Sequence, residues 1–166
     1  EEQEEFAVDS HKKALNAAEK GLFDNEIISI DFNDEKISVD EGPREPDLDK
    51  IRSLSPAFDV DGTITPATSS PISIGASAAL MVSEGLANKL GLEYEFKIVA
   101  RSVAGVDWKM MGSGPLPATE KCLMKSGLTM DQIDVIELNE AFAAQSLYVI
   151  KKGGWDRNKI NLNGGA

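Results

Sequence analysis

The stretch best placed to do chemistry is Val135-Ile-Glu-Leu-Asn-Glu-Ala-Phe-Ala-Ala-Gln145. The apolar run Val135 to Leu138 is short enough for a buried strand. Asn139 ends it, a residue type that favours helix N-caps. Ala141 to Ile150 then reads as a helix stopped by Gly153-Gly154. The spacing predicts a polar amide where a strand stops and a helix starts. In α/β sheets that edge is where ligands bind, so the chemistry on offer is hydrogen bonding to a ligand. Other reactive residue types are sparse. Cys122 is the single cysteine. It falls in mid-helix with no His or helix N-terminus nearby to lower its pKa, and it reads as a packing residue. His11 is the single histidine. It could act as a base, but its place among alanines reads as a half-buried helix histidine. Arg44 is the one cation in the acidic loop Asp40 to Asp49. It could meet a ligand phosphate. A surface ion pair with Glu41 or Glu45 is the stronger reading from sequence alone.

The elements that must hold these residues follow from periodicity. Glu1 to Gly21 reads as a helix with Ala7, His11, Ala14, Leu15, Ala18 and Leu22 on one face. Its acidic first turns suit the helix dipole. Glu26 to Ile30 and Lys36 to Val39 read as short strands, and Leu48 to Leu54 as a short helix. Val60-Asp-Gly-Thr63 reads as a tight turn, and Thr65 to Ser73 as a loop. Gly75 to Leu90 reads as a helix of small residues, and Glu95 to Ser102 as a strand. Gly105 to Pro117 is irregular. Pro117 to Ser126 is a helix with Leu116, Ala118, Cys122 and Leu123 inward, and Thr129 caps a turn through Ile133. Ile160 to Asn163 is a last strand before Gly164-Gly165-Ala166, and the missing closing helix suggests truncation. From residue 95 the order is strand, helix, strand, helix, strand, an α/β pattern with right-handed crossovers.

Composition sets the outer bounds. A chain of 166 residues with 42% hydrophobic content is long enough for a core. Lys plus Arg is 17 and Asp plus Glu 28, so the net charge is −11 and nucleic acid is excluded as a partner. A nucleotide-bearing small ligand held by a local cation is still allowed. One cysteine excludes internal disulfides and fits a reducing compartment. No apolar run reaches the length of a membrane span.

Several landmarks, in order, resemble the thiolase family. They are the opening helix with Phe23-Asp-Asn-Glu-Ile27, Gly42-Pro-Arg44, Pro56-Ala-Phe-Asp59, Asp61-Gly-Thr63 and Thr65 to Ala78. Gly105-Val-Asp107 with Met111-Gly-Ser-Gly-Pro115, Asn139 to Gln145 and Asn161-Leu-Asn-Gly-Gly-Ala166 complete the series. Thr68-Ser69-Ser70 and Ile160 to Gly165 look most like degradative 3-ketoacyl-CoA thiolases. The resemblance implies a layered α/β/α fold, here incomplete. Residues 1–70 would be the end of a loop domain, 71–94 the last helix of the N-terminal half, and 95–166 the first part of the C-terminal half.

The implied reaction is cleavage of a 3-ketoacyl-CoA by CoA to acetyl-CoA and a shortened acyl-CoA, as in fatty-acid β-oxidation. It needs a thiolate acyl carrier, a base and donors to oxyanions. By the resemblance the acyl-carrying Cys lies upstream of this chain, the base His in a Gly-His-Pro just beyond Ala166, and a second Cys further on. Neither Cys122 nor His11 replaces them, so the segment alone is expected to be inactive. Asn139 matches the asparagine that positions an oxyanion-hole water. Ser70 matches a serine near the pantetheine of CoA. Met111, Ala141 and Phe142 match pocket residues, although by residue type they read as core. Arg44 matches an arginine near the CoA nucleotide. Glu140 reads as structural, since a buried carboxylate there needs partners. Coenzyme A enters as co-substrate, with no metal and no permanently bound cofactor. The implied partners are acyl-CoA, a second copy in a homodimer or tetramer, and a β-oxidation partner subunit, in the bacterial cytoplasm. Ile74, Pro66 and Pro71 depart from the family pattern and leave acyl chain length open. A non-catalytic acyl-CoA-binding or scaffold protein and a biosynthetic acetoacetyl-CoA thiolase are the alternatives. Half of a two-half core should also expose much apolar surface.

Overall fold

The structure, a computed structural model, describes residues 1–166. Helix α1 spans Glu2–Glu19, with Glu2, Glu4 and Glu5 in its first turn against the positive end of the dipole. The face it buries is not the alanine-rich stripe expected from apolar spacing. Phe6, Val8 and Ala17 are buried, whereas Ala18 and Leu22 face solvent. The stripe is rotated because Ser10 and Lys13 find hydrogen-bond partners at the C-terminal end of the chain. Gly165 N–H donates to Ser10 Oγ at 3.2 Å, and Lys13 Nζ donates to the Ile160 carbonyl at 3.4 Å. A polar side chain with a partner is as acceptable on a buried face as an apolar one.

After α1 comes a two-stranded antiparallel hairpin, β1 (Ile30–Phe32) and β2 (Glu35–Ile37). β1 begins at the last residue of the strand expected at 26–30, and β2 overlaps the one expected at 36–39. The turn decides the register: Asn33 and Asp34 have φ of 51° and 66°, which these residue types tolerate best after glycine. Helix α2 (Leu48–Arg52) is capped by Asp47, whose carboxylate accepts from Lys50 N–H at 3.1 Å.

The expected helix from Gly75 to Leu90 is shorter. Residues 70–82 form neither helix nor strand and are exposed, and α3 spans only Glu84–Leu90. Ser83 caps it by accepting from Leu86 N–H at 3.2 Å, and Gly91 ends it in the left-handed region. The strand expected at 95–102 does not form: a bend falls at 95 and the residues after it have no paired neighbour. A strand without a neighbour has no ladder to define it.

Helix α4 spans Pro115–Ser126, with Cys122 half-buried on it. The residues expected to face inward on α4 are only half-buried. Helix α5 spans Ala143–Gly153 and is the most deeply buried element. The strands expected at 135–138 and 160–163 reduce to one parallel bridge, Ile136 to Ile160, on either side of α5. That pair with its helical crossover is what the chain retains of a parallel α/β sheet. The core is one cluster of eight buried residues, Phe6, Leu138, Ala143, Leu147, Val149, Ile150, Trp155 and Ile160. It joins α1 and α5 to the two bridged segments.

Only 15 of 166 residues are buried, and the accessible surface is 12891 Å². A compact monomer of 17.9 kDa exposes about 8,000 Å². Segments without helix or strand, such as 70–82, contribute to the excess, and Ile72 and Ile74 there are each 105% exposed.

Candidate active-site segment

Asn139 follows Leu138 immediately beyond the parallel bridge, and it is exposed. It does not cap α5, as its residue type suggested. The helix starts two residues later than expected, its cap is Phe142, and no side chain supplies the capping bond. The Asn139 amide is therefore turned to solvent at the end of a strand-like segment, beside the start of a helix. The expected location holds and the expected capping role does not.

Three of the other candidate residues meet next to it. Ser69 and Phe142 form an antiparallel bridge, and Ser70 N–H donates to the Ala141 carbonyl at 3.0 Å. The loop that presents this edge is made rigid locally. Pro66–Thr68 forms a 3-10 turn with a capping box between Thr65 and Thr68, both buried. Ser69 Oγ also donates to the Thr65 carbonyl at 2.8 Å. Phe142 stacks edge-to-face on Phe58, with ring centroids 5.8 Å apart. Ser70, Ala141 and Phe142 thus form one continuous edge that leads to Asn139.

Met111 lies in the 3-10 segment Trp108–Ser113, which packs on α5. A Cβ on Gly112 would stand 2.8 Å from Gln145 Cγ, so glycine permits that approach. Met111 itself is 73% exposed and free to line a groove rather than fill a core. Arg44 is exposed and lies on the α1 side of the molecule, where its charge acts on His11. It does not take part in the Ser70, Ala141 and Phe142 edge.

His11 is half-buried on α1. Burial pushes its pKa below the ordinary value, the Arg44 guanidinium pushes the same way, and the Glu140 carboxylate opposes them. Glu140 has the partner that its structural reading required, since its Oε1 accepts from Asn161 Nδ2 at 2.7 Å.

Asn161 is the residue that sequence reasoning passed over. It is 2% exposed and holds a φ of 47°. The available signal was an asparagine inside a strand-like run just before two glycines, since asparagine takes left-handed backbone readily. No group of His, Cys, Asp and Glu side chains is arranged to hold a metal ion. No helix is long and apolar enough to cross a membrane.

Comparison with known proteins places this geometry in a family. Residues 1–85 match the thiolase N-terminal domain and residues 92–166 the thiolase C-terminal domain. The chain belongs to the thiolase family. It is 47% identical to the 3-ketoacyl-CoA thiolase of Aliivibrio fischeri and 48% identical to that of Shewanella loihica. All of this chain aligns in both cases, and it covers 46% of each relative. The chain therefore spans less than half the length of the curated relatives it matches. Human mitochondrial 3-ketoacyl-CoA thiolase in complex with CoA superposes with a TM-score of 0.95 at 35% identity, over 99% of this chain and 42% of that one. The Bacillus anthracis acetyl-CoA acetyltransferase superposes with a TM-score of 0.87 at 40% identity, over 99% of this chain and 43% of that one. The fold is thus the thiolase layered α/β fold, present in part.

Proposed function

We propose that this chain is the central part of a 3-ketoacyl-CoA thiolase, in which the complete polypeptide cleaves a 3-ketoacyl-CoA with CoA. The products are acetyl-CoA and an acyl-CoA shortened by two carbons. The observation that carries the reading is the exposed amide of Asn139 beside the edge built from Ser70, Ala141 and Phe142. An amide free of helix capping can hold a water that donates to the oxygen on which charge develops. Ser70 and Met111 would meet the pantetheine arm, Ala141 and Phe142 the acyl end, and Arg44 the CoA nucleotide.

The acyl-carrying cysteine and the base histidine are supplied by polypeptide outside these residues. Residues 1–70 then close a loop domain, 71–94 end the first thiolase half and 95–166 open the second. A bacterial cytoplasmic enzyme assembled as a dimer or tetramer, working beside another β-oxidation subunit, completes the proposal. CoA and acyl-CoA are substrates rather than resident cofactors.

The test is thiolysis of a 3-ketoacyl-CoA series, followed by loss of the magnesium-enolate absorbance. The 166-residue chain alone should show no turnover, and the complete polypeptide should show it. Turnover by the chain alone would sink the reading. The likeness to the Bacillus anthracis acetyl-CoA acetyltransferase favours one alternative, a biosynthetic acetoacetyl-CoA enzyme. Activity confined to acetoacetyl-CoA would select that alternative.

A further inference from the structure

The backbone that carries Asn139 is held by one buried side chain. Asn161 Oδ1 accepts from Leu138 N–H at 2.8 Å. Its Nδ2 donates to the Leu138 carbonyl at 2.8 Å and to Glu140 Oε1 at 2.7 Å. Regular pairing in this region ends at the Ile136 to Ile160 bridge. Beyond it the Asn161 amide returns an acceptor and a donor to Leu138, as a neighbouring strand would. On the far side, Glu140 N–H donates to the Ala166 carbonyl at 2.6 Å.

These bonds act on the two peptide planes that flank Asn139. The Leu138 carbonyl belongs to the plane before it, and the Glu140 N–H to the plane after it. Each plane is rigid, so fixing both sets the φ and ψ of Asn139 and leaves only its side-chain torsions. An amide buried this deeply is tolerated because its oxygen and its nitrogen both have partners. The turn 161–166 that delivers these bonds is itself wedged in place. A Cβ on Gly164 would stand 2.8 Å from Ala14 Cβ, and one on Gly165 would collide with the Glu140 side chain.

We infer that Asn161 is a positioning residue for the catalytic amide of Asn139, acting as a one-residue strand surrogate with Glu140 as its second anchor. The inference rests on the proposed role of Asn139. It adds that the aim of the Asn139 amide depends on a side chain that touches neither substrate nor CoA.

The experiment has two parts. In the complete polypeptide, amide hydrogen exchange compares Leu138 and Glu140 with the intervening Asn139. Slow exchange at Leu138 and Glu140 with fast exchange at Asn139 is expected, and fast exchange at all three would overturn the inference. In the complete thiolase, Asn139→Ala, Asn161→Asp and the double variant Asn161→Asp with Glu140→Gln are assayed for kcat and for KM towards CoA. Asn161→Asp places two carboxylates face to face. It should lower kcat on the order of 100-fold and leave KM unchanged. The double variant restores a donor between the two side chains and should recover part of that kcat. If Asn139→Ala keeps full kcat, the functional reading of Asn139 fails first. If Asn139→Ala is crippled while Asn161→Asp is not, the positioning role alone is wrong. A loss in Asn161→Asp that Glu140→Gln does not relieve at all rules out Glu140 as the second anchor, because the double variant restores that contact and not the donor to the Leu138 carbonyl.

Discussion

At the scale of single residues, Asn139 and His11 make separable predictions. Replacing Asn139 with Ala in the complete enzyme removes the group proposed to hold the oxyanion water. Loss of one such donor lowers kcat by about 10²-fold to 10³-fold, which steady-state thiolysis would measure. His11 makes a prediction in pH. Its folded pKa is lowered by burial first and Arg44 second, against the pull of Glu140. The folded state therefore resists protonation, and stability present at neutral pH is lost as pH falls through the ordinary histidine range towards the lowered value. Helix faces and loops around it also bring the Asp9 and Lys13 charges near that end of α1. His11→Gln should flatten the decline in urea midpoint on the acid side of neutrality. An unchanged slope would mean that other groups govern it. Arg44 is exposed, so Arg44→Ala should raise KM for CoA only by the twofold to fivefold that about 0.5–1 kcal/mol allows.

At the scale of elements, the clearest prediction concerns the last turn. Gly164 has φ +89° and lies against α1, with a hypothetical Cβ 3.0 Å from the Ser10 carbonyl. Gly164→Ala should cost about 1–3 kcal/mol through backbone strain and should detach α1, seen as a lower urea midpoint. Leu147→Ala on α5 removes a core side chain and should cost about 2–5 kcal/mol in the same measurement. How much of this was legible in the sequence varied by element. Helices α1, α2 and α4, the Thr129 turn and the buried helix after residue 140 all follow from caps and 3.6-residue spacing. The buried face of α1 did not, because Ser10 and Lys13 gain their partners from residues about 150 positions away. Residues 75–82 read as helix because alanine and serine are common in helices. The Ser83 cap was the local signal that α3 begins only at Glu84. The position of Asn139 was legible from the strand-to-helix change. Its clamp was not, since Asn161 acts through a long-range hydrogen bond that no local pattern encodes.

At the scale of the whole molecule, surface dominates. The accessible area exceeds that of a compact chain of this mass by about 4,900 Å². Exposed apolar residues run through Ile72, Ile74, Leu80, Phe96 and Val103. Exposed apolar side chains in such number drive association. The purified 166-residue chain should bind a hydrophobic dye and elute as a multimer or aggregate in gel filtration. The complete polypeptide should stay dye-silent and elute as a defined dimer or tetramer, and a monomeric, dye-silent 166-residue chain would contradict the exposure seen in the structure.

The seam between Ser10 and Gly165 also sets a clock. The two residues are 155 positions apart, and the core around Phe6 closes only when α5 and the last turn are present. At elongation speeds of about 5–20 residues per second, Ser10 is made roughly 8–30 seconds before the Gly165 that donates to it. During that interval the face of α1 that carries Phe6 stays uncovered, and α1 can dock only on α2 and the 66–68 turn until α5 and the last turn are synthesised.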